Sequence, residues 1–356
     1  MSFRNSLGVL KYRVRRHVTR TVITQVIGFR ARRLIVFLTP GFDGPSGGII
    51  SIASIYRESA AIRRLHQSRV AICTIPGEPP LLKYTWFKNR NYLLDLETLL
   101  NRCKYLEYLL IHIPEYAVNQ MSDWLGSHRS KLENIKEVHL NVMVQHIDIM
   151  RSQDLNGLAR FGKVTCTTAH EAYTNAATRD ALGVSLHRLS CCNGPERYTL
   201  TDYTQKQALL IVSHDEHPLK ETVILAIKRE CPELEIQVIQ NLTFEEYLAV
   251  VQRAKWSLTF GEGLDSYFCD PVFCGGVSFA VFNERFFTSQ FAKLETVYPS
   301  WEVLMEKLTA DLKRLDEPEA YKRCWKQAWD LLDDLYSTER FRENLRSFYR
   351  GEYTFP

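Results

Sequence analysis

The feature that most constrains this chain is an alternation of short runs of β-branched and aliphatic residues with segments of helical period, repeated along most of its 356 residues. Strands that alternate with helices pair in parallel, because a parallel neighbour is reached only through a crossover that packs back on the sheet. The runs fall into two sets. The first holds strands at 34–39 (LIVFLT), 70–75, 106–113, 138–142 and 164–168, with helical patterns over 48–65, 115–125 and from Ala169 onward. The second holds strands at 209–213 (LLIVS), 236–239, 256–260 and 277–282, with helices over 219–230 and 244–253. Turn-formers and polar residues in 190–207 separate the sets, and from Trp301 to about Tyr349 the pattern is helical. The expected organisation is a leader (1–33), a first α/β unit (34–190), a linker (191–207), a second α/β unit (208–316) and terminal helices (317–356) that cross back to the first unit. Open parallel sheets take ligands beyond the carboxyl ends of their strands, so a central cleft between two doubly wound units is the expected binding place.

Charge is unevenly placed. Nine basic residues precede the first acid, Asp43, whereas the remaining 314 residues carry 36 basic against 41 acidic side chains. A mildly acidic body argues against a chain-wide nucleic-acid groove. The nine cysteines show no CxxC pair and no Cys/His ligand spacing, and the vicinal Cys191 and Cys192 are poorly placed to bridge each other. A reducing cytosol is the expected compartment. The longest dense apolar runs are strand-sized, so no segment is expected to span a bilayer, and the amino terminus lacks the apolar core of a secretory signal.

Two segments carry candidate chemistry. Pro40-Gly41-Phe42-Asp43-Gly44-Pro45-Ser46-Gly47-Gly48 joins the first strand to the first helix. Its backbone amides, free of side-chain bulk at a helix start, suit a phosphate or a developing negative charge, although a plain strand-to-helix turn would use the same residues. It matches neither GxGxxG nor the P-loop, which disfavours a Rossmann dehydrogenase and an ATPase. The second segment, 261–271 (GEGLDSYFCDP), places Glu262, Asp265 and Asp270 at a strand's carboxyl end and the start of a helix. Carboxylates there can accept hydrogen bonds from sugar hydroxyls; the alternative is a capped helix start with solvated acids.

The stretch IQNLTFEEYLAVVQRAKWSLTFGEGLDSYFCDPVFCGG, with Gly-Gly after the first strand and a lysine after the first strand of the second unit, resembles the retaining GT-B glycosyltransferases of the large bacterial mannosyl/rhamnosyl/glucosyl group. Those enzymes carry a Glu, seven residues and a second Glu, then a small-residue turn. Glu262, seven residues and Asp270 fit with Asp for the second Glu, and Phe273-Cys274-Gly275-Gly276 fits the turn. The resemblance is strongest over 213–283. It implies two Rossmann-like domains facing a cleft, a nucleotide-diphosphate sugar as co-substrate, and transfer with retention to a glycan or lipid-linked acceptor without a metal, as in bacterial surface polysaccharide synthesis. Residue by residue, it implies that Glu262 holds donor-sugar hydroxyls, Asp270 binds the ribose and Gly47 and Gly48 lie against the diphosphate or sugar. Gly263, Leu264 and Asp265 complete the donor site. Lys220 would neutralise the leaving diphosphate. The family's arginine five residues before that lysine is Asp215 here. A histidine after a first-domain strand is also frequent in the family; His112 is the first choice, followed by His170 and His146.

In the leader, Leu10, Val14, Val18, Val22, Val26 and Phe29 recur at helical spacing within 7–29, with Arg13, Arg16 and Arg20 on the far side. Such a helix either lies on an anionic membrane, giving a cytoplasmic protein held peripherally at the inner face of the plasma membrane, or packs its valines on the body. Two other functions fit the pattern: a nucleotide-sugar epimerase of the same fold, and a non-catalytic glycan- or membrane-binding scaffold, which the Asp215 departure favours.

Overall fold

A computed structural model describes residues 3–44, 46–190 and 194–356, with only the backbone described for 3–13, 15 and 16. Its first half is a six-stranded, wholly parallel sheet in the order β2-β1-β3-β4-β5-β6: β1 (Arg33–Thr39), β2 (Arg69–Thr74), β3 (Tyr108–Pro114), β4 (Glu137–Val144), β5 (Lys163–Thr168) and β6 (Ser185–Arg188). The helices of this half are α1 (Phe3–Gly28), α2 (Gly47–Ala61), α3 (Arg63–His66), α4 (Leu96–Arg102), α5 (Val118–Ser127), α6 (Leu155–Ala159) and α7 (Ala176–Leu182). The second sheet is also parallel, ordered β11-β10-β9-β7-β8, from β7 (Gln207–Val212), β8 (Glu235–Val238), β9 (Ala254–Leu258), β10 (Val277–Val281) and β11 (Val297–Tyr298). It carries α8 (Lys220–Glu230), α9 (Phe244–Arg253) and α10 (Ser266–Phe273), followed by α11 (Trp301–Leu315), α12 (Pro318–Tyr336) and α13 (Thr338–Arg350).

The period-2 rule explains why the first sheet must be covered on both faces. In β1, Leu34, Val36 and Leu38 join the cluster that contains Leu99 of α4 and Met121 of α5. Ile35 and Phe37 point the other way, into a cluster with Ile52 and Ile55 of α2 and with Phe341, Leu345 and Phe348 of α13. The last helix thus closes the first sheet although it follows the second in sequence. Arg342 pairs with Glu58, Tyr349 donates to the Ser59 hydroxyl (2.8 Å), and Leu186 exchanges backbone hydrogen bonds with Phe355.

Several expectations change in the folded chain. The helix expected from Ala169 begins at Ala176, where Asn175 caps it by accepting from the Thr178 amide, and residues 169–175 remain a loop at the end of β5. The expected helix over 48–65 breaks at Ile62 into α2 and α3. The leader's orientation is the reverse of a valine-packed helix. Val14, Val18, Val22, Val26 and Phe29 are 51–66% exposed, whereas Thr24 is buried, Ile23 and Ile27 pack on the core, and Arg20 buries two of its guanidinium nitrogens. Gly28 permits that docking, since a Cβ there would meet the Arg102 Cβ at 2.8 Å. Leu10, Arg13 and Arg16 lie outside the described side chains.

Candidate functional site

The loops that leave the carboxyl ends of both sheets meet around a cavity of about 410 Å³. From the first sheet come Gly47 and Gly48 at the amino terminus of α2, His146 after β4 and His170 after β5; from the second come Asp215 after β7 and Glu262 and Asp265 after β9. Ser46 caps α2 in extended geometry without a side-chain bond to the helix, so the first-turn amides have no side-chain acceptor from the cap. Gly48 is shaped by its neighbour, because a Cβ there would stand 2.7 Å from the Gln145 Oε1.

One ion pair spans the cavity. His146 Nε2 lies 2.7 Å from Glu262 Oε1, and this hydrogen bond and charge raise the imidazole's pKa above its ordinary value despite partial burial. Behind it, the His146 amide donates to the buried Glu115 carboxyl (3.3 Å), whose pKa is raised by burial. His170 behaves oppositely: burial lowers it to about 4, and its Nδ1 is enclosed without a partner. Near neutrality one histidine of this wall is therefore neutral, while the other is held toward its charged form. Phe286 of the second half meets both rings edge-on, at centroid distances of 5.6 and 5.1 Å.

The second wall is acidic. Asp265 caps α10, accepting from the amides of Tyr267 (2.8 Å) and Phe268 (3.2 Å) and from the Thr259 hydroxyl (2.6 Å). Burial, together with the charges of Asp215 and Glu262, nevertheless pushes its carboxyl up to about 7. Gly263 adopts φ +92°, where an L side chain is strained, and a Cβ would lie 2.4 Å from the Phe287 ring. Leu264 lines the cavity and is 3% exposed in a cluster with Phe268 and Phe287. No lysine or arginine is among the described residues that line the cavity.

The fold therefore brings together Gly47, Gly48, Glu262, Leu264 and Asp265, but other expected residues lie elsewhere. His112 is a correction. It sits inside β3, stacks on Phe37 at 4.2 Å, receives Asn141 Nδ2 at its Nδ1 (3.0 Å) and is fully buried, with its pKa driven well below the ordinary value. Two residues before the strand's end, its side chain shares the face of Leu110 under α13 and does not reach the cleft. Asp270 is 1% exposed inside α10, accepts from the Tyr198 hydroxyl (2.8 Å) and does not line the cavity. Lys220 opens α8 with its Nζ donating to the Asp215 carbonyl (3.0 Å), and it too is absent from the cavity wall. Gly263 lines a smaller adjoining hollow of about 260 Å³ beside Trp301 and Asn283.

His146 was the residue sequence reasoning ranked too low. The available signal was position: it lies two residues beyond the strand's last residue, Val144, whereas His112 lies within a strand. Among the described residues no cluster of three or more His, Cys, Asp or Glu side chains is arranged to hold a metal ion, and no helix is long and apolar enough to cross a membrane.

No family model matches the chain, and no curated protein matches it in sequence. Its similarity is to solved structures. An alpha-glucosyltransferase in complex with UDP superposes on 89% of this chain and 99% of its own, with a TM-score of 0.56 at 10% identity. HepE from Anabaena in complex with UDP-glucose gives 0.57 at 11% identity, over 89% of this chain and 99% of its own. Sucrose-phosphate synthase from Thermosynechococcus elongatus gives 0.55 at 13% identity, over 90% and 99%. The two parallel α/β sheets, the cleft between them and the helical carboxyl-terminal segment that returns to the first sheet make this a GT-B fold.

Proposed function

We propose that this protein is a retaining glycosyltransferase that moves a sugar from a nucleotide-diphosphate donor to a hydroxyl of a glycan or lipid-linked acceptor, in bacterial surface polysaccharide assembly. The observation that carries the reading is the joint placement of Glu262 and the α2 amino terminus on one cavity at the carboxyl ends of both sheets. A carboxylate there can accept from sugar hydroxyls, and the amides of Gly47 and Gly48 face the same space with the positive end of a helix behind them. In the proposed reaction the bond from C1 of the sugar to the diphosphate oxygen breaks with its electron pair remaining on the diphosphate. The acceptor oxygen bonds C1 on the same face, and its proton passes to the leaving phosphate oxygen. Lys220, anchored on the loop carbonyl of Asp215, is the lysine assigned to that leaving group and would have to release this hydrogen bond to reach it. The exposed valine stripe of α1 and its basic sequence support peripheral attachment to an anionic membrane at the cytoplasmic face.

One observation favours a second reading. With no lysine or arginine on the described cavity wall and three carboxylates opposite, the cleft suits a neutral glycan held by hydrogen bonds in a non-catalytic scaffold. A thermal-shift panel of nucleotide-diphosphate sugars separates the two, because a ligand bound only by the folded state raises Tm with its concentration. The expected result is a rise with at least one donor and acceptor-dependent release of nucleotide diphosphate. Glu262→Ala is expected to remain folded while turning over at least about 100-fold more slowly. No shift with any donor and no turnover would favour the scaffold, and turnover without an acceptor would indicate an epimerase or hydrolase.

A further inference from the structure

A second concave site lies at the opposite end of the first sheet from the cleft. It is a shallow basin of about 620 Å³ at the amino ends of β1 and β2, lined by Arg30, Arg32, Arg33, Arg63, Arg64 and Arg69 and by no carboxylate. Arg33 is held in place, its Nε donating to the His66 carbonyl (3.3 Å) and its guanidinium lying 3.9 Å from the Tyr108 ring centroid. Arg32 pairs with Glu107 on the rim, an acid it shares with Lys136. Arg30 lies over the Phe29 ring at 5.3 Å. The side chains of Arg63, Arg64 and Arg69 make no hydrogen bond or ion pair with any described residue, and all three are exposed. Six guanidinium groups sharing one basin repel one another, and among the described residues only Arg32 has a carboxylate partner there.

Exposed apolar residues flank the basin's arginines in the sequence. Phe29, 66% exposed, immediately precedes Arg30 and ends the stripe of Val14, Val18, Val22 and Val26; Leu65, 41% exposed, stands between Arg64 and His66 in α3. We propose that the arginine basin binds phosphate headgroups of an anionic bilayer whose acyl boundary receives the valine stripe, Phe29 and Leu65. This deepens, and rests on, the membrane reading of the leader. The charge of the segment argues for lipid over the other occupants. A second copy of this chain on a two-fold axis would bring two such acid-free surfaces, nine basic residues each in 1–42, against each other. A nucleic acid would satisfy the arginines and leave the valines in water, whereas a bilayer surface satisfies both at once.

The test is co-sedimentation of the full chain with vesicles of phosphatidylcholine, alone or with roughly one-third phosphatidylglycerol. A basin variant (Arg63→Glu, Arg64→Glu and Arg69→Glu together) is compared with a stripe variant (Val18→Asp with Val22→Asp). All five positions are exposed, so both are expected to melt with the wild type; the triple Arg→Gln change replaces the basin variant if reversal unfolds it. The expected result is binding only to anionic vesicles, weakened at least about 100-fold by the basin variant. Wild-type binding lost in the stripe variant and unchanged in the basin variant would overturn the basin while leaving the leader's attachment standing. No vesicle binding by the wild type would overturn both. Tighter binding to duplex DNA than to anionic vesicles, abolished by the basin variant, would overturn the lipid assignment in favour of nucleic acid.

Discussion

The two walls of the cleft are built from the same kind of unit, a parallel strand running into a loop and a helix start, yet they present opposite chemistry. The first-sheet wall offers hydrogen-bond donors: the α2 amides at Gly47 and Gly48 and the His146 imidazole, with its pKa raised by Glu262. The second wall offers Asp215, Glu262 and Asp265, where burial first and the charges of the other two acids second push Asp265 up to about 7. The difference shows how charge is managed where two domains face a shared space. Among the described residues, the acids gathered on one wall are compensated from the other through the ion pair His146–Glu262 rather than by a lining lysine or arginine. A ligand entering the cleft must therefore compete with, or join, that pair.

The comparison breaks most sharply at Gly263, where the acidic wall depends on a backbone only glycine tolerates. Gly263→Ala is expected to lose about 2–4 kcal/mol of stability, from left-handed strain plus the collision with Phe287, measured by chemical denaturation. An effect no larger than that of an exposed alanine substitution would show that the wall can relax and that its geometry is not fixed there.

Next in size is the protonation of Asp265. Its carboxyl in the folded chain lies near 7, against an ordinary value of 3.8, so the folded state holds the proton more tightly than the unfolded one. An acid shifted upward contributes stability at low pH that is lost as pH rises from about 4 to about 7. Asn at this helix cap keeps an acceptor and removes the charge, so Asp265→Asn is expected to gain about 1–3 kcal/mol relative to wild type across that window and to hold the gain above it. Parallel stability-versus-pH curves for the two proteins would show that Asp265 ionises normally, shifted neither by burial nor by the neighbouring acids.

The smallest expected effect belongs to the pair that joins the walls. Because Glu262 raises the His146 pKa, the pair's contribution is fully present below the unfolded imidazole's value and is lost as pH rises through the raised one. Both side chains remain partly exposed, 43% and 34%, so His146→Gln is expected to cost about 0.5 kcal/mol or less at pH 5 and nothing at pH 9. A cost independent of pH would mean that packing against Phe286, not charge, holds His146 in place.

How much of this was legible beforehand can be followed through particular residues. The strands 34–39 and 209–213 reappear as β1 and β7 within two residues, because a run of buried aliphatics between turn-formers is a local signal. The helix Phe244–Arg253 appears with the expected bounds, and its capping box, Thr243 with Glu246, is written in the sequence as TFEE. β6 (SLHR) and β11 (VY) escaped, being too short to show a period. At the site, Gly47, Gly48 and Glu262 were found from strand-to-helix context, which is also local. His112 and Asp270 lie away from the cavity, and the choice between the leader's two orientations stayed open, for one shared reason. A histidine within LLIHIP, an acid within a helix and a valine stripe at i, i+4 spacing each have two faces available, and nothing local says which one the neighbouring layer will cover.

By itself, then, the sequence determined the two parallel sheets, the cleft at their carboxyl ends and the excess of basic residues before Asp43, since periodicity, turn chemistry and charge are properties of short stretches of chain. Only the tertiary structure decided that His146 rather than His112 meets Glu262, that Asp270 turns inward, that the valines of α1 face solvent and that six arginines from two strand starts, the turn before β1 and α3 share one basin. Each of these depends on contacts between segments tens to more than a hundred residues apart, and such contacts are selected by the packing of whole layers, which no local pattern encodes.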